Sequence, residues 1–224
     1  MSNKFSVIIS DPPWSFSDKL QQSDVPRGAA ANYSTMTISQ IKEIPVNLIA
    51  DPDGAILALW VPSSLLQEGL DVMKAWGFAH KQTYVWVKTK KSPLASLAKD
   101  LLKNIDLSSF KQTINNYTNN FNYNNLLSFG MGRLFRQSHE ICLIGTNNNK
   151  IYKKLANKSQ RSVSFGENLR HSCKPEHLQD SLDMMFPECN KLEMFARRIK
   201  KGWTCIGNQV CNGEDIIYSI KKLM

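Results

Sequence analysis

Cysteine is scarce and unpaired: there are five in 224 residues, an odd number with no CxxC pair. That excludes the disulfide framework of small secreted domains and offers no paired thiolates for structural zinc. No apolar run reaches the roughly 18 residues a membrane-spanning helix needs. Met1-Ser2-Asn3-Lys4 does not lead into the apolar core and small-residue cleavage site of a signal peptide. A cytoplasmic protein with reduced thiols is expected. A glycine-rich phosphate loop, HExxH and GxSxG are also missing. His171 and His177 flank Lys174-Pro175 without cysteine partners at zinc spacing, so no metal is expected.

What remains is ordinary in bulk, with 42% hydrophobic and 21% charged residues. That composition suits one globular domain, or a domain with a large insertion. The net charge of +9 is unevenly placed. Residues 1–89 hold 7 Lys/Arg against 8 Asp/Glu, whereas residues 90–224 hold 21 against 11. Such an excess suits either a polyanionic partner or a soluble basic surface.

The apolar pattern predicts strands at residues 5–10, 55–61, 83–87, 140–145, 191–195 and 204–207. Helices are predicted at 37–47, after Ser63/Ser64 up to Gly77, at 94–103, at 175–186 and at 214–223. Residues 15–36 read as a long loop. Eight asparagines between 104 and 125, with several lysines, mark an insertion over about 90–136. Residues 146–174 read as polar and basic. Alternating strands and helices indicate an α/β domain with a mainly parallel sheet, which binds ligands beyond the carboxyl ends of its strands. Asp11–Trp14, Glu193–Arg197 and Asn208-Gln209 all fall at such ends.

Asp11-Pro12-Pro13-Trp14 is the sharpest chemical signal. The prolines fix the backbone and remove two N–H donors, leaving carbonyls to accept. With the Asp11 carboxylate and the flat Trp14 ring, the set suits a planar ligand bearing an exocyclic amine, such as adenine. The two amine hydrogens are expected on Asp11 and a proline carbonyl, with Trp14 stacked on or flanking the base. The other reading is a turn with a buried anchor.

The ordered motifs resemble the family of the mRNA adenosine methyltransferase catalytic subunit, MT-A70, in its bacterial and phage branch. The resemblance spans nearly the whole chain except about 90–130. Asp11-Pro-Pro-Trp14 looks like the family's catalytic motif, and Tyr33-Ser-Thr-Met36 its Tyr-x-Thr-Met segment. Leu59-Trp-Val61, Trp76-Gly-Phe78 and Val85-Trp-Val-Lys88 follow. Then come Ser138-His-Glu-Ile-Cys-Leu-Ile-Gly145, Arg170-His-Ser-Cys-Lys-Pro175, Lys191-Leu-Glu-Met-Phe-Ala-Arg197, Gly202-Trp203 and Gly207-Asn-Gln209. The stretch after Arg197 lacks the His-Asn of the RNA-modifying branch.

The resemblance implies a Rossmann-like, S-adenosylmethionine-dependent methyltransferase fold with permuted motif order. It implies a single domain, 1–224, carrying the Lys/Asn-rich insertion. Asp11, Pro12, Pro13 and Trp14 are the implied catalytic residues. Asp11, Lys174, Glu193, Phe195, Arg197, Asn208 and Gln209 are implied to hold the cofactor. For Phe195 a core position is the other reading; for Glu193 and Arg197 the others are a cap and a surface ion pair. Tyr33, Arg170, His171 and Lys174 are expected nucleic-acid contacts, and so, from the basic charge of the insertion, are Arg133 and Arg136. The expected reaction is methyl transfer to adenine N6 in DNA. RNA methylation and a non-catalytic nucleic-acid-binding partner subunit are the alternatives. Residues 90–136 (7 basic, 2 acidic) and 146–174 (7 basic, 1 acidic) are assigned to phosphate contacts, with homodimerisation through the insertion as another reading.

Overall fold

Val7–Ser10 forms β1, every residue of which is buried, and it stops where Asp11-Pro12-Pro13 begins. The structure, a computed structural model, describes residues 4–15, 35–104, 112, 115, 119, 122–130, 132, 134–168, 174–210 and 214–224. The remaining strands are β2 (Ile56–Val61), β3 (Ala79–Thr89), β4 (His139–Thr146), β5 (Val163–Glu167), β6 (Lys191–Met194) and β7 (Thr204–Ile206). The helices are α1 (Ile38–Lys42), α2 (Val46–Ile49), α3 (Leu66–Ala75), α4 (Pro93–Asn104), α5 (His177–Met185) and α6 (Ile216–Leu223). The seven strands lie in the order β5-β3-β4-β2-β1-β6-β7. The pairs β1/β2, β1/β6, β6/β7 and β3/β5 are parallel, while β2/β4 is antiparallel. The sheet is therefore mixed, with flanking helices, as in a Rossmann-like methyltransferase fold.

The described residues divide into two compact units. One comprises Met1–Tyr84, Ile141–Ser162 and Leu178–Met224; the other comprises Val85–Glu140 and Val163–His177. The stretch read as an insertion falls in the second unit.

Within the first unit, Thr37 caps α1 with a reciprocal bond set to Gln40. The helix expected over 37–47 is broken in two, because Pro45 cannot donate within a helix and restricts the residue before it. Leu66, at the start of α3, is exposed. Gly69, Val72 and Met73 are the buried residues of that helix. A Cβ at Gly69 would lie 2.6 Å from a methyl of Val61, so this glycine lets α3 sit close on β2. Trp76 closes the same side, donating from Nε1 to the carbonyl of Ile41 at 2.9 Å. Gly77 ends the helix region at φ +82°.

Two strands depart from the sequence expectation. β3 begins at Ala79 rather than at 83, because residues Ala79–Gln82 are solvent-exposed and carry no apolar alternation. β5 lies within the stretch read only as polar and basic. It is an edge strand with a single buried residue, Gly166, so no apolar run marks it.

Candidate active site

The carboxyl ends of β1, β6 and β7 meet in the first unit. Asp11 and Pro13 follow β1, Phe195, Ala196 and Arg197 follow β6, and Asn208 and Gln209 follow β7; together they line one open cleft. It is a shallow cleft that opens to solvent. The three segments are adjacent because β1 pairs with β6, and β6 with β7, in parallel register.

Local geometry explains how each segment turns into the cleft. Phe195 leaves β6 in the left-handed region at φ 58°, unusual for a bulky residue and a sign of constraint by its surroundings. The strand expected to reach Phe195 thus ends one residue earlier. Ala196 N–H donates to the Ile206 carbonyl at 2.9 Å, tying the Phe195–Arg197 bend to β7. Gly207 passes so close that a Cβ there would lie 2.7 Å from Ala196 N and 2.8 Å from Ala196 O. A turn closed by Val210 N–H to Gly207 O at 3.1 Å then holds Asn208 and Gln209, both exposed, at its corners.

The Asp11-Pro12-Pro13-Trp14 segment differs from expectation in two respects. Its carbonyls already carry donors: Pro12 O accepts from Trp14 N–H at 2.9 Å, and Pro13 O from Met36 N–H at 2.8 Å. One lone pair of each is thereby engaged, and a carbonyl has a second. The ladder continues with Ser15 N–H to Met36 O at 3.1 Å, so Trp14-Ser15 and Met36 meet through their backbones. Trp14, expected to stack on a base, has only 3% of its surface exposed and sits in the hydrophobic core. Its Nε1 donates to the Trp60 carbonyl at 3.0 Å. The buried-anchor reading describes its position.

Glu193 does not line the cleft. Its Oε2 accepts from Nε2 of Gln179, a buried residue of α5, at 2.8 Å, and lies 4.0 Å from Cys205 Sγ. Alternation along β6 accounts for this: the cleft is lined by residues beyond the strand end, whereas Glu193 is inside the strand.

Lys174 belongs to the second unit, where it forms a cluster the sequence did not reveal. Glu140 receives Lys88 Nζ on Oε1 at 2.6 Å and Lys174 Nζ on Oε2 at 3.0 Å. Burial pushes the Glu140 pKa up, but the charges and hydrogen bonds of Lys174 and Lys88 outweigh it and hold the carboxyl below its ordinary value. Lys88, Glu140 and Lys174 each lie in a quoted motif, which is the only signal that could have linked them. Arg136 is exposed and lies over the Phe129 ring, 6.0 Å from its centroid. Tyr33, Arg133, Arg170 and His171 lie outside the described residues. Among the described residues no group of acids, histidines or cysteines could hold a metal, and no helix is long and apolar enough to cross a membrane.

Comparison with known proteins adds to this geometry. The family model described as MT-A70 matches residues 5–104 and 92–209. A probable N(6)-adenosine-methyltransferase MT-A70-like protein of Oryza sativa subsp. japonica is 25% identical over 96% of this chain. The human N(6)-adenosine-methyltransferase catalytic subunit METTL3 is 22% identical over 92% of it. The chain spans only 24% and 28% of those two proteins. Type II methyltransferase M.MunI of Mycoplasma sp is also 22% identical, over 92% of this chain and 78% of its own length.

Proposed function

The chain belongs to the MT-A70 family, and from that premise we propose that it transfers a methyl group from S-adenosylmethionine to the N6 amine of adenine in DNA. The observation that carries this reading is the shared cleft, where Asp11 and Pro13 of the DPPW segment face Phe195, Arg197, Asn208 and Gln209. These groups fit such a cofactor chemically. Two side-chain amides suit a ribose diol, a guanidinium suits a carboxylate, and an aromatic ring suits the apolar parts. Gly207, tight against Ala196, keeps the strand end thin enough for the cleft to form there.

When bound, S-adenosylmethionine supplies a methyl group already activated by a sulfonium. The chain's task is then alignment and exclusion of water. Asp11 accepts a hydrogen bond from the adenine amine, orients it and polarises it. No strong base is required before attack, since the proton is lost once the nitrogen has become cationic. The remaining lone pair of a proline carbonyl holds the second amine hydrogen. Trp14, buried beneath the segment, fixes its height and angle. Lys174, in the second unit, is held on Glu140 at 3.0 Å.

DNA is favoured because M.MunI, a type II methyltransferase, matches this chain over most of both lengths. RNA is the second reading, favoured by the N(6)-adenosine-methyltransferase relatives. The test is incubation with labelled S-adenosylmethionine and matched DNA and RNA, followed by nucleoside mass spectrometry, with Asp11→Asn alongside. Labelled N6-methyl-deoxyadenosine from wild type is expected. Removing one preorganised polar contact should lower single-turnover methylation by about 10²–10³-fold in the variant. Label only in RNA overturns the substrate choice, and undiminished transfer by Asp11→Asn overturns the assignment of the site.

A further inference from the structure

β5 is an edge strand of the second unit, and among the described residues no strand lies on its outer side. Parity decides which of its backbone groups are spent. In a parallel ladder each residue bonds the residues that flank its partner. Thr89 stands opposite Glu167, and its carbonyl accepts from Asn168 N–H at 3.3 Å. Lys88 turns the other way, donating to Ser138 O at 2.8 Å and accepting from Ser128 N–H at 2.9 Å. Ser164, Gly166 and Asn168 therefore face β3, and the N–H and C=O groups of Val163, Phe165 and Glu167 face outward. The side chains of these outward residues share one face. There Val163 is 44% and Phe165 65% exposed.

Natural proteins blunt such an edge with lysine, proline or a bulge. Val163-Ser-Phe-Gly-Glu167 has neither lysine nor proline, and its register on β3 is unbroken. Its charges have a polarity: exposed Lys158 and Arg161 precede the strand, and Glu167 ends it. A parallel partner of the same sequence would set one Glu167 beside another, which repel. An antiparallel partner puts the acidic end of each strand at the basic entry of the other. The strand itself holds no basic side chain for a phosphate.

We infer that β5 pairs antiparallel with β5 of a second copy of the chain, centred on Phe165. Phe165 meets its own counterpart on the twofold axis, and Val163 meets Glu167 of the other copy on either side. Each pair exchanges both its N–H···O bonds, so the outward backbone groups are all used. Directly opposed aromatic rings are a favourable cross-strand pair. Arg161 precedes Val163 by at most about 7 Å of chain, so its guanidinium reaches the facing Glu167. That carboxylate also accepts from Ser92 N–H at 2.9 Å within its own chain. A guanidinium has several donors, so the pairing leaves Arg161 able to meet a phosphate as well.

Sedimentation of nuclease-treated protein tests this, at concentrations up to roughly 200 µM because a two-strand contact is a small interface. The mass should rise with concentration from the 25.4 kDa of one chain toward twice that value. Phe165→Pro removes an outward N–H and spares the β3 ladder, and Phe165→Lys charges the edge without altering a backbone bond. Each should weaken self-association by roughly tenfold or more. Urea midpoints show whether the fold is kept; should the proline variant unfold, the lysine variant decides. Arg161→Glu should weaken association likewise, and Arg161→Glu/Glu167→Arg should restore it. A short bifunctional thiol reagent should link Phe165→Cys to its copy. It should leave Val163→Cys, roughly 14 Å from its own counterpart, at the wild-type level. A chain that stays monomeric throughout overturns the inference. So does association indifferent to both Phe165 variants, or a charge reversal that restores nothing.

Discussion

The indole N–H of Trp14 donates to the main-chain carbonyl of Trp60 at 3.0 Å, and both residues are buried. The aromatic residue of the DPPW segment is therefore bonded to the core strand β2. Replacing it tests stability before it tests catalysis. Trp14→Phe keeps most of the ring volume but removes the hydrogen bond to the Trp60 carbonyl, at a cost of about 0.5–1.5 kcal/mol. Trp14→Ala adds a cavity and should cost about 3–5 kcal/mol. Urea unfolding measures both. A residue serving only to stack on an exposed base would leave the unfolding midpoint unchanged.

Gly207 has a comparable role from the other side of the cleft. A Cβ added there would press on Ala196 N and O at 2.7 and 2.8 Å, against backbone that cannot rotate away. Gly207→Ala should lose roughly 1–3 kcal/mol by overpacking. Phe195–Arg197 would shift with it, so calorimetry should show weakened S-adenosylmethionine binding. A conservative change on a distant surface, such as Lys221→Gln, serves as the control for both readouts. Cofactor affinity equal to wild type in Gly207→Ala would mean that the bend and the cofactor are independent.

The motif order in the sequence located the cleft-lining segments, because parallel strands place functional loops at one sheet edge. Its local chemistry was less legible. Pro13 O accepts from Met36 N–H, 23 residues further along the chain, and nothing in a DPP tripeptide announces that partner. The Lys88–Glu140–Lys174 cluster joins residues from three distant segments by the same kind of long-range pairing. β5 was missed because an edge strand with one buried residue, Gly166, carries no apolar run. Glu193 stands in a motif beside cleft residues, and nothing in that motif announces its bond from Gln179.

Glu140 should make the second unit acid-sensitive. Its pKa is held below the ordinary value of 4.5, so ionisation contributes stability that is fully present above that value. The contribution is lost as pH falls from 4.5 through the lowered folded value. Glu140→Gln should be less stable at neutral pH by about 1–3 kcal/mol, since Lys88 and Lys174 are left facing each other without a counter-charge. It should also lose less on acidification. Denaturant unfolding at pH 7 and at stepped values below 4.5 measures the difference, and parallel pH profiles for the two proteins would remove Glu140 as the sensor.

Salt dependence separates phosphate contacts from a merely soluble surface. Within 146–174, Lys150 pairs with Asp53 at 2.8 Å and Lys154 with Asp51 at 2.6 Å, so both already have carboxylate partners in the first unit. Lys153, Lys158 and Arg161 are exposed and are the better candidates for phosphate. Changing these three to Gln should weaken DNA binding in low salt and flatten log Kobs against log salt by about 0.9 for each phosphate contact removed. Lys150→Gln should leave that slope near wild type, because its charge is partly committed to Asp53. Cofactor affinity, which the proposed site places in the Asp11–Gln209 cleft, should not move in either variant. Equal slopes for wild type and the triple variant would show that this basic stretch is only a solvated face, and would leave the nucleic acid to be gripped by the second unit.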